Sequence, residues 1–289
     1  VARILITGAT GLLGSSLAPA LFNAGHEVTT VGRSAASRRV CDLSDRVQTV
    51  EMVESLVPEI IVNLAALTNV DLCEDDPNLA YRANCLSVTN LCAGIAATGR
   101  NPYLVQISTD MVYDGQGPHS EDAVAIKNTY ALSKVAGELA AANGNAVVLR
   151  TNFFGRSRAS NRNSLSDWLY RSLRDRTPIT VFSDVLFSPV AIPTLCRIML
   201  TVLEARPLGV YNLGSQDGLS KADFAFEFAK RLGWSSETLT RGRLADGAIL
   251  KARRPTDMRM NSARLSGALR LSLPTLTEEI KIAAEEYHD

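Results

Sequence analysis

Tyr130 and Lys134 lie four residues apart in Tyr130-Ala131-Leu132-Ser133-Lys134, a spacing that puts both side chains on one face of a helix. A lysine ammonium beside a phenol favours the phenolate and is expected to lower the tyrosine pKa, making Tyr130 a usable proton donor or acceptor. Ser108-Thr109-Asp110 closes an apolar run that contains Val105 and Ile107, so the Thr109 hydroxyl is expected at a strand end, where it could hold a reacting oxygen. A tyrosine–lysine pair at this spacing also arises by chance on half-exposed helices. It gains weight here from a second feature near residue 8.

Thr7-Gly8-Ala9-Thr10-Gly11-Leu12-Leu13-Gly14 follows an apolar strand pattern over residues 3–7 and opens a helical pattern running from Leu13 to Asn23. Gly8 permits a tight turn, Gly11 the close approach of a pyrophosphate, and Gly14 a helix lying near the sheet. The free N–H groups of that helix would face the anion. Gly8, Thr10, Gly11, Leu12 and Leu13 are therefore expected at a dinucleotide. The next strand, Glu27–Val31, runs into Gly32-Arg33-Ser34. A carboxylate there would accept the ribose hydroxyls of NAD, whereas an arginine can pair with the extra phosphate of NADP. Arg33 and Ser34, with Arg38 and Arg39 nearby, thus point to NADPH, with NADH as the alternative. Asp42 and Leu43 are expected at the adenine edge, and Leu64, Ala65 and Ala66 are small or apolar residues where the backbone could approach the cofactor.

The elements that must position these groups follow an alternating rhythm. Helical patterns cover Val47–Leu56, Leu79–Gly99 and Tyr130–Ala142, and strand patterns cover Ile60–Leu64, Tyr103–Ile107 and Ala146–Leu149. That alternation predicts an α/β fold, a Rossmann-type doubly wound parallel sheet over residues 1–152. Residues 153–289 are less regular and read mainly as a smaller mixed α/β substrate-binding domain, with segments free to return to the first. Helices are expected at Leu165–Arg176, Pro193–Leu203, Lys221–Leu232 and Leu276–Glu286, and short strands at Ile179–Phe182 and Val210–Leu213. Phe224, Phe228 and Leu232 recur at helical spacing as core, and Trp168 and Trp234 read as packing residues.

Thirty basic residues offset thirty acidic ones among 289, which argues against a nucleic-acid footprint or an electrostatic membrane anchor. No apolar run reaches the length of a spanning helix. The first strand pattern starts at residue 3 and leaves no room for a signal peptide, so a cytoplasmic protein is expected. Five cysteines without C-x2-C spacing read as reduced thiols, and His26, His119 and His288 form no ligand set, so no metal is expected.

With these motifs in place the chain resembles the extended short-chain dehydrogenase/reductases, and more narrowly the dTDP-4-dehydrorhamnose reductase family. TGATGLLG resembles the family's cofactor turn. NLAALTNVDLCE and YRANCLSVTNL resemble its central segments, with Asn84 at the position of a structural helix asparagine. STDMVYDG resembles STDxVFDG, NTYALSKVAGE resembles NxYGxTKxxGE, and Leu149–Gly155 resembles the LRTxxxYG segment beside the nicotinamide, with Asn152 within it. GVYNLGSQDGLSKADFA resembles GxYHxxxxGxxSxxxFA, and Ala252–Pro255 with Met260-Asn261 resembles the late RPxxxxLd stretch.

The resemblance implies an NADPH-dependent ketoreductase of a nucleotide-linked 4-keto-6-deoxy sugar. Its catalytic groups would be Thr109, Tyr130 and Lys134, the latter two also touching the cofactor. Thr109, Asp110, Val112 and Arg254 would meet the substrate. A homodimer is a further expectation. Met111 stands where related dehydratases carry an acid/base glutamate, which disfavours elimination of water. A nucleotide-sugar epimerase is the enzymatic alternative, and a non-catalytic NADP-binding subunit like the regulator of methionine adenosyltransferase is another. One segment departs from the family. Its DQxGxPT reads Asp184-Val185-Leu186-Phe187-Ser188-Pro189-Val190 here, and apolar bulk in place of polar contacts is expected to reshape the substrate pocket.

Overall fold

The computed structural model describes residues 1–160, 162–246 and 250–288. In chain order the first part comprises β1 (Arg3–Thr7), α1 (Gly14–Asn23), β2 (Glu27–Gly32), β3 (Arg39–Val40), α2 (Arg46–Leu56), β4 (Ile60–Asn63), α3 (Val70–Asp75) and α4 (Pro77–Tyr81). It continues through α5 (Ser87–Ala97), β5 (Tyr103–Thr109), α6 (Thr129–Ala141) and β6 (Ala146–Thr151). The second part adds β7 (Phe153–Phe154), α7 (Leu165–Arg174), β8 (Ile179–Phe182), β9 (Leu186–Phe187), β10 (Val190–Ala191), α8 (Ile192–Ala205) and β11 (Gly209–Leu213). It ends with β12 (Leu219–Ser220), α9 (Lys221–Leu232), β13 (Leu239–Gly242), α10 (Ala263–Leu269) and α11 (Leu276–Glu285).

Seven parallel strands form the central sheet in the order β11-β6-β5-β4-β1-β2-β3. Strands β4, β5 and β6 are buried along their whole length, which is why they read as continuous apolar runs rather than alternating ones. The chain leaves β1 towards β2 and returns on the other side as β4. The crevice between the C-terminal ends of β1 and β4 is thus the topological switch point, where a ligand is expected in such sheets. The fold is Rossmann-type.

The second part contributes to the same sheet, because β11 pairs with β6 at its edge. Residues of α8, β11 and α10 share one apolar cluster with β1 and α1. A separate cluster gathers Phe154, Phe187, Phe224 and Phe228 with side chains of α7, α9 and α11. Phe224, Phe228 and Leu232 are core as expected, and Trp234 packs 5.0 Å from the Tyr170 ring. Trp168 does not pack inside. It is 43% exposed, on the outward side of α7.

The helical pattern over Leu79–Gly99 resolves into α4, a π-helical turn at Arg82–Leu86, and α5. The wider turn carries Asn84, whose amide grips the Leu67 backbone (2.8 and 3.0 Å) and donates to Ser133 Oγ (2.9 Å). Such turns concentrate at functional sites.

Beneath the sheet's C-terminal edge lies a buried ion pair. The Arg150 guanidinium on β6 donates twice to Glu138 on α6, at 3.0 and 2.7 Å, and both side chains are almost fully buried. Ser108 on β5 donates to the same carboxylate. Arg150 also donates to Tyr113 Oη (2.8 Å) and the Glu121 carbonyl (2.5 Å), and Tyr113 donates on to Asn212 of β11 (2.7 Å). Removing one partner of such a pair strands a charge in a poorly polarisable interior. Arg150→Ala is therefore expected to cost about 3–5 kcal/mol by urea denaturation. Arg174→Ala, whose pair with Asp175 lies in solvent, should leave the midpoint unchanged.

Candidate active site

The glycine turn is built as a cradle. Gly8 has φ of +66°, and a Cβ there would sit 2.9 Å from the Ala65 nitrogen. A Cβ on Gly14 would overlap the Gly8 carbonyl, so the start of α1 can lie this close only without one. Helix α1 begins after Leu13 with no side-chain cap, which leaves the amides of its first turn for an outside acceptor. Beneath the turn, Thr7 Oγ1 donates to Asn63 Oδ1 (2.5 Å) and accepts from the amides of Leu64 and Ala65 (3.2 Å each). These bonds fix the Leu64–Ala66 backbone against the turn. A glycine-lined cradle, an uncapped helix and a fixed backbone edge fit a dinucleotide pyrophosphate.

Thr10 is exposed and Gly11 and Leu12 half-buried, whereas the Leu13 and Leu43 side chains are core, so those two can offer a cofactor their backbone only. Arg33 and Ser34 are exposed just past β2. Asp42 lies near Arg33, but its carboxylate is held by the Ser44 amide and hydroxyl (2.9 Å each), which with Arg33 and Arg82 keep its pKa low. Arg82, which donates to Ser44 Oγ at 3.0 Å, is a cation of this corner that the motifs did not single out.

At the chemical end, β5 delivers Thr109 and α6 delivers Tyr130 and Lys134; all three are at least nine-tenths buried. Asn128 caps α6 by accepting from the Ala131 amide at 2.8 Å, fixing where the helix starts. Lys134 Nζ donates to the Ile107 carbonyl on β5 at 2.8 Å, two residues before Thr109. Thr109 Oγ1 accepts from the Met111 amide (3.1 Å) and lies 3.4 Å from Asp110 Oδ1. Asn152 Nδ2 donates to Asp110 Oδ2 at 2.7 Å. The structure thus gathers Thr109, Asp110, Tyr130, Lys134 and Asn152 at the C-terminal ends of β5 and β6. Among the described residues, no cluster of three or more His, Cys, Asp or Glu side chains is arranged to hold a metal.

The model of one family, described as the RmlD substrate binding domain, matches residues 2–288. The chain belongs to that family. The dTDP-4-dehydrorhamnose reductase of Salmonella typhimurium is 28% identical, over 94% of this chain and 93% of its own. The probable low-salt glycan biosynthesis reductase Agl14 of Haloferax volcanii is 27% identical over 98% of each. Among solved structures, the dTDP-4-dehydrorhamnose reductase from Bacillus anthracis in complex with NADP superposes with a TM-score of 0.88, at 25% identity and 99% coverage of both chains.

Within this RmlD-family chain three expectations need correction. Val112 is fully buried with Tyr113 and Met260, so its side chain has no surface for a substrate. Val185, Phe187 and Val190 also point inward, at 2% exposure or less, so the altered segment repacks the core and does not line a pocket. The expected lowering of the Tyr130 pKa by Lys134 is absent. Burial raises the phenol above its ordinary value, the Thr109 hydroxyl opposes this only in part, and Asp110 adds to it. Lys134 is itself pushed down to about 8 by burial, against the pull of Glu138. Arg254 is paired with Asp71 (3.0 Å) and donates to the Ala252 carbonyl (2.8 Å), near the site but already engaged.

Asp110 is pushed up to about 6 by burial, opposed by the Asn152 amide, the Lys221 ammonium and the Thr109 hydroxyl. On acidification the folded chain takes up this proton before the unfolded chain does, so the carboxyl favours folding increasingly as pH falls from about 6 towards 4. A carbon-detected NMR titration should place its midpoint near 6, and Asn152→Leu should move it higher. A midpoint near the ordinary aspartate value would contradict this account.

Proposed function

We propose that this protein is an NADPH-dependent reductase of a nucleotide-linked 4-keto-6-deoxy sugar. The observation that carries the reading is the gathering of Thr109, Tyr130 and Lys134 at the end of β5, on the sheet edge that also holds the glycine cradle. Gly8, Thr10, Gly11 and Leu12, with the Leu13 backbone, would hold the pyrophosphate. Arg33 and Ser34 would meet the 2′-phosphate, Asp42, Leu43 and Leu64–Ala66 the adenosine side, and Asn152 the nicotinamide side. In this reading the cofactor is held mainly by residues 1–152 and the sugar nucleotide mainly by residues 153–289.

NADPH, when bound, supplies hydride to the carbonyl carbon. Tyr130 would give its proton to the carbonyl oxygen while the Thr109 hydroxyl holds that oxygen in place. The burial that keeps Tyr130 protonated in this structure suits a donor. Lys134, anchored on the Ile107 carbonyl, would stabilise the phenolate left behind, and its pKa of about 8 lets it return a proton near neutral pH. Tyr130 packs against Cys73 and Ala80, with Met111 against the same cluster, which would limit water at the phenol. Met111 has no ionisable group, so the residue after Asp110 cannot serve as the acid/base of an elimination.

Tyr130→Phe should slow NADPH oxidation with enzymatically generated dTDP-4-keto-6-deoxy sugar by about a hundredfold or more. Binding of NADPH, followed by its fluorescence, should be retained. A loss of only a few-fold would remove Tyr130 from the role of proton donor.

A further inference from the structure

Helix α11 carries a carboxyl group in its inner face. Glu279 has no exposed surface and lies beside Leu276, Ile280 and Ala283, all core residues of the same helix. Its Oε2 accepts from the Ala191 amide at 2.9 Å. Ala191 ends β10 and precedes α8, and it has no side chain that could cap that helix. Glu279 takes this amide as the acid of a capping box would, but from another helix. The other oxygen is different. Among the described residues Oε1 is buried without a hydrogen-bond partner, and so is the hydroxyl of Thr194 in the first turn of α8. A carboxylate with one donor and no exposed surface is strongly disfavoured. A proton on Oε1 lets Glu279 donate to the Thr194 hydroxyl, which is within reach, so one proton serves two orphaned atoms.

Charged neighbours are few. Burial pushes Glu279 up to about 7; the Ala191 amide, the Thr194 hydroxyl and Arg197 on α8 oppose this, and Glu278 on α11 adds to it. Strand β10 has no ionisable residue, and α9 faces α11 with Phe224 and Phe228. The contact also bears on the candidate site. Strand β10 pairs with β7, and the Val190 amide donates to the carbonyl of Asn152 at 3.0 Å.

We propose that Glu279 is a proton-operated latch: as the neutral acid it holds α11 on β10 and the start of α8, and loss of its proton loosens that contact. In the unfolded chain a glutamate titrates at about 4.3. The neutral group therefore contributes its full stabilisation below about pH 4, and that contribution is lost as pH rises through about 7.

Urea denaturation of wild type and Glu279→Gln at pH 5 and pH 8 tests this, because the glutamine keeps the shape and an acceptor for the Ala191 amide but cannot ionise. From pH 5 to pH 8 the unfolding constant of the wild type is expected to rise about tenfold or more relative to that of Glu279→Gln. Glu285→Gln, exposed on the same helix, should follow the wild type. Hydrogen exchange at pH 8 locates the effect: in Glu279→Gln the Ile280, Ala283 and Ala284 amides should gain more protection than those of β4. Parallel pH dependence of wild type and Glu279→Gln would overturn the latch, as would a gain in α11 no larger than in β4. Should Glu279→Gln not fold, a carbon-detected titration of the wild-type carboxyl decides. A midpoint near 7 supports the latch, and one at the ordinary glutamate value overturns it.

Discussion

The Arg150–Glu138 ion pair sits under the candidate catalytic groups and joins the elements that carry them. Through Glu138 it fixes α6, and with it Tyr130 and Lys134; through Ser108 it fixes the end of β5, and with it Thr109. Arg150 itself lies two residues before Asn152, the partner of Asp110. Two charges in an interior are tolerated only with nearly complete hydrogen bonding, and this pair has it, since every nitrogen of the guanidinium has an acceptor. The requirement for that geometry gives α6 one register against the sheet, so three candidate catalytic groups from two elements meet at one place.

The same burial sets the chemistry. With these side chains buried, Tyr130 is held protonated, Lys134 is drawn down to about 8 and Asp110 up to about 6. Glu138 pulls Lys134 the other way, so the pair that organises the site also limits how far its lysine loses charge. A phenol that keeps its proton until a developing oxyanion asks for it suits ketone reduction. The spacing of Tyr130 and Lys134 placed both on α6 but carried the wrong sign for the resting phenol, because burial outweighs the neighbouring ammonium.

Much of the fold was legible because buried parallel strands write themselves as apolar runs and the glycine turn marks its own place. The helix over Leu79–Gly99 read as one because a single wide turn, the one that carries Asn84, hardly disturbs an apolar period. Helix α3 has six residues, too few for any period to show. The direction of a side chain in a loop is the other blind spot. Val112, Val185 and Phe187 sit in segments whose neighbours reach the site, yet pairing with distant Met260, and with the aromatic cluster of α9, turns them inward.

In the proposed reaction hydride leaves the cofactor for good and a proton arrives from Tyr130. Incubating the protein with NADPH deuterated at C4 and a nucleotide-linked 4-keto-6-deoxy sugar, then locating the label by mass spectrometry and NMR, tests it most directly. Deuterium is expected on the former carbonyl carbon of the sugar, with one NADP formed for each molecule of product. An isomerised sugar without deuterium and without net NADPH consumption would contradict it and make the protein an epimerase.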